Sequence, residues 1–143
     1  PSVRAINNFS TKKEELLLRQ LDNGGNPNSP TVAASGRKIA ILTFTNKIIL
    51  IDFDSRKVEE INMLQGYKAN RETIQFVGNF VIVAAGHTLV QYDINTRNWS
   101  KLYEIPERRR NYAIIRTTSD KGEIYWHERA EWRQPRFYKI KMY

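Results

Sequence analysis

The sequence repeats itself after about forty residues. Gly36-Arg37-Lys38-Ile39-Ala40-Ile41 aligns with Gly78-Asn79-Phe80-Val81-Ile82-Val83 at an offset of 42. Ile48-Ile49-Leu50-Ile51-Asp52-Phe53-Asp54-Ser55-Arg56 aligns with Leu89-Val90-Gln91-Tyr92-Asp93-Ile94-Asn95-Thr96-Arg97 at an offset of 41. Each unit reads as a glycine and a short apolar strand, a tight turn, and a second strand ending in Asp. A polar [DN]-[ST]-Arg turn follows, and a third strand opens at Lys57 or Asn98. Residues 111–142 form a degenerate third copy: a strand over 111–118, a Ser-Asp-Lys-Gly turn, a strand over 123–128, a polar excursion containing Trp132, and a closing strand over 136–142. A unit of this size cannot bury both faces of its own sheet, so the copies must shield one another.

Short runs rich in Ile, Val, Thr, Tyr and Phe fill the chain from Val32 onward: 37–44, 47–53, 57–63, 73–85, 88–94, 98–105, 111–118, 123–128 and 136–142. Turn signals separate them, among them Gly78-Asn79, Gly86-His87 and Asp120-Lys121-Gly122. Strands at this spacing predict an all-β domain, and a period near forty with several strands per unit is the signature of a propeller blade. The expected fold is therefore all-β, about three four-stranded propeller-like blades with one N-terminal α-helix. The repeats fall at about 32–63, 73–105 and 111–142, within a β-repeat domain over 31–143. The competing fold is a single-chain β-barrel or sandwich. Three blades do not close the usual ring of about four to eight. The chain is thus expected to be a piece of a larger propeller, to assemble with its own copies, or to receive blades from a partner. The absence of an initiator Met accords with a processed or excised segment.

Units of this length resemble the β-propeller repeats of the WD40 and Kelch families, over about residues 32–142. The second repeat is more similar to Kelch: Ala85-Gly86 stands where that family has two glycines, Tyr92 precedes Trp99 by the Kelch spacing, and Pro106 and Arg108 follow. No unit carries the Gly-His and terminal Trp-Asp of WD40 repeats. The resemblance implies a rigid, generally non-catalytic platform for proteins, with peptide or nucleic-acid contacts made by blade-connecting loops.

Residues 1–30 form a separate arm. Ser10 or Thr11 can cap a helix over 10–22, with Glu14 at capping-box spacing from Thr11, and Asn23-Gly24-Gly25 ends it. Leu17, Leu18 and Leu21 form a narrow apolar stripe that can dock on a sheet or a partner helix. The Gly/Pro/Asn stretch 23–30 links this helix to the repeats.

Composition limits the chemistry. The 143 residues include no cysteine, which removes disulfides, thiol nucleophiles and Cys-ligated zinc. No stretch approaches the ~20 apolar residues of a membrane span, and no signal-peptide pattern opens the sequence. A soluble intracellular protein is expected, cytoplasmic unless its basic charge takes it to the nucleus or nucleolus. His87 and His127 lie forty residues apart with no metal-ligand spacing, no Gly-x-Ser-x-Gly elbow is present, and Gly24-Gly25 follows a helix, unlike a nucleotide loop. Asp52 and Asp93 open polar turns, where a carboxylate accepts backbone amides. No enzyme, metal or cofactor is expected.

The net charge of +8 is local: residues 1–96 hold 11 basic and 9 acidic side chains, and residues 97–143 hold 12 and 6. In that last third Arg108, Arg109 and Arg110 precede Tyr112, and Trp132, Arg133, Arg136, Phe137, Tyr138, Lys139 and Lys141 interleave rings with cations. Guanidinium groups hold phosphates and exposed rings stack on unpaired bases, so this set is the candidate site for RNA or for an acidic protein. Strand alternation places Tyr138, Ile140 and Met142 on a core-like face and leaves Phe137, Lys139 and Lys141 on the other. Tyr138, Trp126 and Trp99 suit the spaces between blades. The expected function is a non-enzymatic protein-interaction scaffold within a larger assembly, or else an RNA-binding or ribonucleoprotein-assembly factor. Its partners would be other protein subunits or its own copies at open blade edges, or RNA, and not a membrane.

Overall fold

A computed structural model describes residues 31–70 and 73–142. The expected helix, its stripe of Leu17, Leu18 and Leu21, and the 23–30 linker lie outside the described residues.

Eleven strands form three antiparallel sheets. Sheet 1 holds β1 (Thr31–Ser35), β2 (Lys38–Leu42), β3 (Lys47–Asp52) and β4 (Lys57–Asn62) in sequence order. Sheet 2 holds β5 (Gln75–Val77), β6 (Phe80–Ala85), β7 (Thr88–Asp93) and β8 (Asn98–Glu104), also in order. Sheet 3 holds β9 (Ala113–Asp120), β10 (Glu123–Arg129) and β11 (Arg136–Lys141). The expected all-β class and three-unit division hold, with two differences. The third unit has three strands among the described residues, not four. The run 73–85 is two strands, because Gly78 at φ 56° turns the chain between Val77 and Phe80. One strand went unread: Thr31–Ser35 is Ala- and Ser-rich, with weak intrinsic strand preference, and pairing along β2 holds it extended. The three sheets remain separate, so the described strands form no single closed barrel.

The repeated turn has one geometry in both copies. Asp52 Oδ1 accepts the amides of Asp54 and Ser55 at 3.0 and 3.4 Å, and Asp93 Oδ1 accepts those of Asn95 and Thr96 at 2.8 and 3.3 Å. Burial works to raise the Asp52 carboxyl, but these two amides and nearby Lys38 outweigh it and hold the group below its ordinary value. Arg56 and Arg97 close the turns at φ 55° and 61°.

The sheets stack face to face. Val81 and Val83 of β6 join Ala40, Leu42, Ile48 and Leu50 of sheet 1 in one apolar layer. Ile82 and Ala84, on the opposite face of β6, join Ile114, Ile124 and Trp126 of sheet 3 in another. A strand covered on both faces needs apolar residues at consecutive positions, and Val81–Ala85 supplies them. The first strands β1, β5 and β9 are neighbours from sheet to sheet. Side chains bind the β5 segment to β9: Gln75 Nε2 donates to Thr117 O at 2.8 Å, and Thr117 Oγ1 donates to Thr73 O at 2.8 Å.

Candidate functional site

Because strand direction alternates, the β2–β3, β6–β7 and β10–β11 turns share one end of the stack with the two linkers between sheets. Asparagines organise that end. Asn46, at φ 61°, donates from Nδ2 to Tyr67 O and accepts the Ala69 amide at Oδ1, both at 2.9 Å. This ties the first linker to sheet 1. Asn70 ties the same linker to the other two sheets: its Nδ2 donates to Ile114 O at 2.9 Å, and its Oδ1 accepts the Gly86 amide at 3.1 Å. His87 Nδ1 pairs with Tyr112 O at 2.8 Å and so spends a ring nitrogen on the second linker. A cleft of about 1010 Å³ opens here, walled by the 66–70 linker, the 85–88 turn, Glu104, Arg110 and the start of β9.

The arginine run spans the end of a 3-10 turn, Glu107–Arg109, and its C-cap Arg110, and its three members have different fates. Arg109 points inward. Its Nη1 donates to Glu128 Oε2 at 2.5 Å and to Tyr138 Oη at 2.6 Å, and its Nη2 donates to Tyr103 Oη at 3.2 Å. Glu128 is 0% exposed and the Arg109 side chain 13%. Tyr103 Oη and Trp126 Nε1 donate to the other carboxylate oxygen at 2.6 and 3.4 Å. Burial pushes the Tyr103 phenol up to about 12, reinforced by its hydrogen bond to Glu128. Arg110 pairs with Glu104 at 2.9 Å, and Arg108 is exposed.

Two of the expected contact residues are thereby corrected. Arg109 is committed to a buried carboxylate, and Tyr112 is packed in the layer between sheets 2 and 3, so neither presents its group to an external polymer. The pattern Arg108–Arg110 reads as one basic run only until the 3-10 turn splays its members apart. Arg136 stacks its guanidinium over the Tyr112 ring at 5.3 Å. The missing signal was Glu128, a lone acid inside an apolar alternation, Ile124-x-Trp126-x-Glu128, whose burial demands a cation.

The remaining site residues gather on the β10–β11 hairpin. Trp132 and Arg133 sit at its turn, on the linker end of the stack. Phe137, Lys139 and Lys141 lie on the outward face of sheet 3, while Tyr138, Ile140 and Met142 pack inward, as alternation requires. Trp132 and Phe137 are each 75% exposed. Phe137 lies against His127, ring centroids 5.6 Å apart, and Lys139 reaches Glu123 at 3.9 Å. Trp126 and Tyr138 stack at 5.8 Å between sheets 2 and 3, and Trp99 packs between sheets 1 and 2, donating to Asn62 O at 3.1 Å. Tyr92 and Trp99, the pair with Kelch spacing, are cross-strand neighbours with ring centroids 5.2 Å apart. Among the described residues no group of three or more His, Cys, Asp or Glu side chains converges as a metal site, and no helix is long and apolar enough to cross a membrane.

No protein-family model matches the sequence, and no curated protein matches it. Solved structures do. A Clostridium novyi NT chain assigned as a conserved lipoprotein superposes with a TM-score of 0.61 at 12% identity, over 86% of this chain and 93% of that one. A chain of the S. cerevisiae complex of Dbp5 with Nup159, Gle1, IP6 and ADP gives 0.51 at 11% identity, over 80% of this chain and 34% of that one. The N-terminal domain of Nup159 gives 0.46 at 10% identity, over 78% and 30%. This chain therefore spans about a third of the length of those last two. The likeness to the first two is one of fold, an all-β arrangement of antiparallel sheets.

Proposed function

We propose that the chain is a non-enzymatic protein-interaction module whose three sheets are propeller-like blades, and that its docking surface is the β10–β11 hairpin. One observation carries this reading: Trp132 and Phe137 stand three-quarters exposed beside Arg133, Lys139 and Lys141. Large rings left in water forfeit burial, about 1.5–3 kcal/mol for a Phe-sized side chain. Trp, Phe and Arg are also the residues in which interface centres are enriched. The surrounding cations favour a partner with an apolar groove rimmed by carboxylates. The repeated antiparallel sheets, stacked through apolar layers, supply a rigid platform for such a surface.

A second reading is RNA. Trp132 beside Arg133 has the ring and cation that single-stranded nucleic acid uses, with Arg108 exposed at the same end of the stack. The pairing of Arg109 with Glu128 and of Arg110 with Glu104 weakens it, because these cations are already neutralised.

Replacing Trp132 or Phe137 with a photo-cross-linking phenylalanine in cells that express the chain distinguishes the two. The protein reading expects a discrete protein adduct that resists nuclease and is lost with Arg133→Glu. Nuclease-sensitive adducts would establish the RNA reading. Adducts equal to those from a probe at exposed Lys121, on the opposite end of the stack, would overturn both.

A further inference from the structure

Sheets 1 and 2 each end in a fourth strand, whereas sheet 3 ends, among the described residues, at its third. The two fourth strands meet. Trp99 Nε1 of β8 donates to Asn62 O of β4 at 3.1 Å, and Arg97, just before β8, donates to Glu59 of β4 at 2.9 Å. By the same stacking, the other side of β8 faces the place where a fourth strand of sheet 3 would lie. The apolar rim there is only partly buried: Leu102 on β8, Tyr138 and Ile140 on β11, and Met142 just after it.

Strand β11 has one paired side and one open side among the described residues. The Met142 amide donates to Gly122 O at 2.8 Å, on the β10 side. Alternate residues of an antiparallel ladder share that direction, so Tyr138 and Ile140 also turn their amides and carbonyls to β10. Those of Phe137, Lys139 and Lys141 point to the open edge. Their side chains stand exposed on the outward face, and Lys139 reaches Glu123 only at 3.9 Å. The other outer edges are guarded: a bulge at Leu102 interrupts β8, and β4 mixes both charges at Lys57, Glu59 and Glu60. Strand β11 pairs with β10 in unbroken register and carries the cations Arg136, Lys139 and Lys141 with no acid.

We propose that the partner protein adds an extended acidic segment to this edge, antiparallel to β11, as the fourth strand of sheet 3. This rests on the reading of the β10–β11 hairpin as the docking surface and names how the partner binds there. Main-chain hydrogen bonds to Phe137, Lys139 and Lys141 supply affinity, and the alternating side-chain positions supply choice. Carboxylates of the incoming strand lie opposite Lys139 and Lys141, and the apolar side chains between them cover Tyr138 and Ile140 beside Leu102. A second copy does not fit, because every charge on this edge is positive and self-pairing brings like charges together.

The test uses the full chain, labelled for NMR, and a peptide alternating Val and Glu over the length of β11. In the free chain the amides of Phe137, Lys139 and Lys141 should exchange fast while those of Tyr138 and Ile140 are protected. The peptide should slow exchange at the three edge positions roughly tenfold or more. Lys139→Glu with Lys141→Glu should weaken its binding about tenfold and transfer the preference to a Val-Lys peptide. Methylating the Glu nitrogens, which face β11 in the antiparallel pairing, should abolish binding, and methylating the Val nitrogens, which face away, should not. Edge amides already protected in the free chain overturn the proposal, because another segment or a second copy then fills the edge. No binding, or equal binding of the two methylated peptides, also overturns it. A hairpin that docks by side chains alone would still give its protein adduct on photo-cross-linking at Phe137, so failure of strand addition is distinct from failure of the docking reading.

Discussion

Arg109→Met strips the buried Glu128 carboxylate of its cation. It removes one N–H bond to Glu128, one to Tyr138 and one to Tyr103, and it leaves a carboxylate that is 0% exposed. Two donors stay behind, Tyr103 Oη at 2.6 Å and Trp126 Nε1 at 3.4 Å, and neither carries charge. Stripping one partner from a buried pair costs about 3–5 kcal/mol. A domain of this size holds about 5–15 kcal/mol in total, so the variant should fold but melt about 10 °C lower or more. The double change Arg109→Met with Glu128→Leu removes the orphaned charge and should recover most of the loss. Urea unfolding followed by tryptophan emission, at low and high salt, measures both. The loss should be insensitive to salt, since the pair is shielded from solvent ions. A single variant within about 1 kcal/mol of the parent, or a double variant no more stable than the single, would refute the account of Glu128 as a buried, cation-dependent anion.

Other outcomes follow from the same contacts. Tyr103 holds its proton to about pH 12 when folded and to about 10 when unfolded, so stability should be constant below pH 10 and decline between 10 and 12; Tyr103→Phe should flatten that decline in an alkaline urea series. Asn70→Ala breaks the bonds to Gly86 and Ile114 that join linker to sheets 2 and 3, and should cost about 1–3 kcal/mol, with faster amide exchange at Gly86. Lys57 and Arg97 hold the Glu59 carboxyl below its ordinary value near 4.5; the pairs support folding above that pH and lose their effect as acid protonates the group, so Glu59→Gln should blunt acid unfolding. Trp132→Ala should leave the melting temperature within about 2 °C of the parent while weakening partner capture, because its ring contributes surface and not core.

The periodic part of the fold was legible in the sequence. Gly36, Gly78 and the Asp52 and Asp93 turns mark strand ends by local backbone chemistry, which needs no knowledge of neighbours. The alternation at Phe137, Lys139 and Lys141 separated outward from inward residues correctly for the same reason. Local pattern failed where tertiary pairing decides: β1 is a strand because β2 offers it partners, and Arg109 turns inward because Glu128, nineteen positions away, is buried. The run Ile48–Ile51 carried a message that alternation alone missed, since four consecutive buried apolar residues require covers on two sides.

The unequal outer faces limit how copies of this chain can join. A filament needs two different surfaces that fit each other, one at each end, and repeats that heterologous contact without limit. Among the described residues the outer face of sheet 3 presents Phe137 and Tyr125 to solvent, while on the outer face of sheet 1 Ile49 and Ile51 are buried and Val32 is exposed. Self-association through Phe137 would set that face against the same face of a second copy, related by a two-fold axis. Such a contact consumes both surfaces at once and stops at a dimer. An unlike partner docked there would bind one per chain.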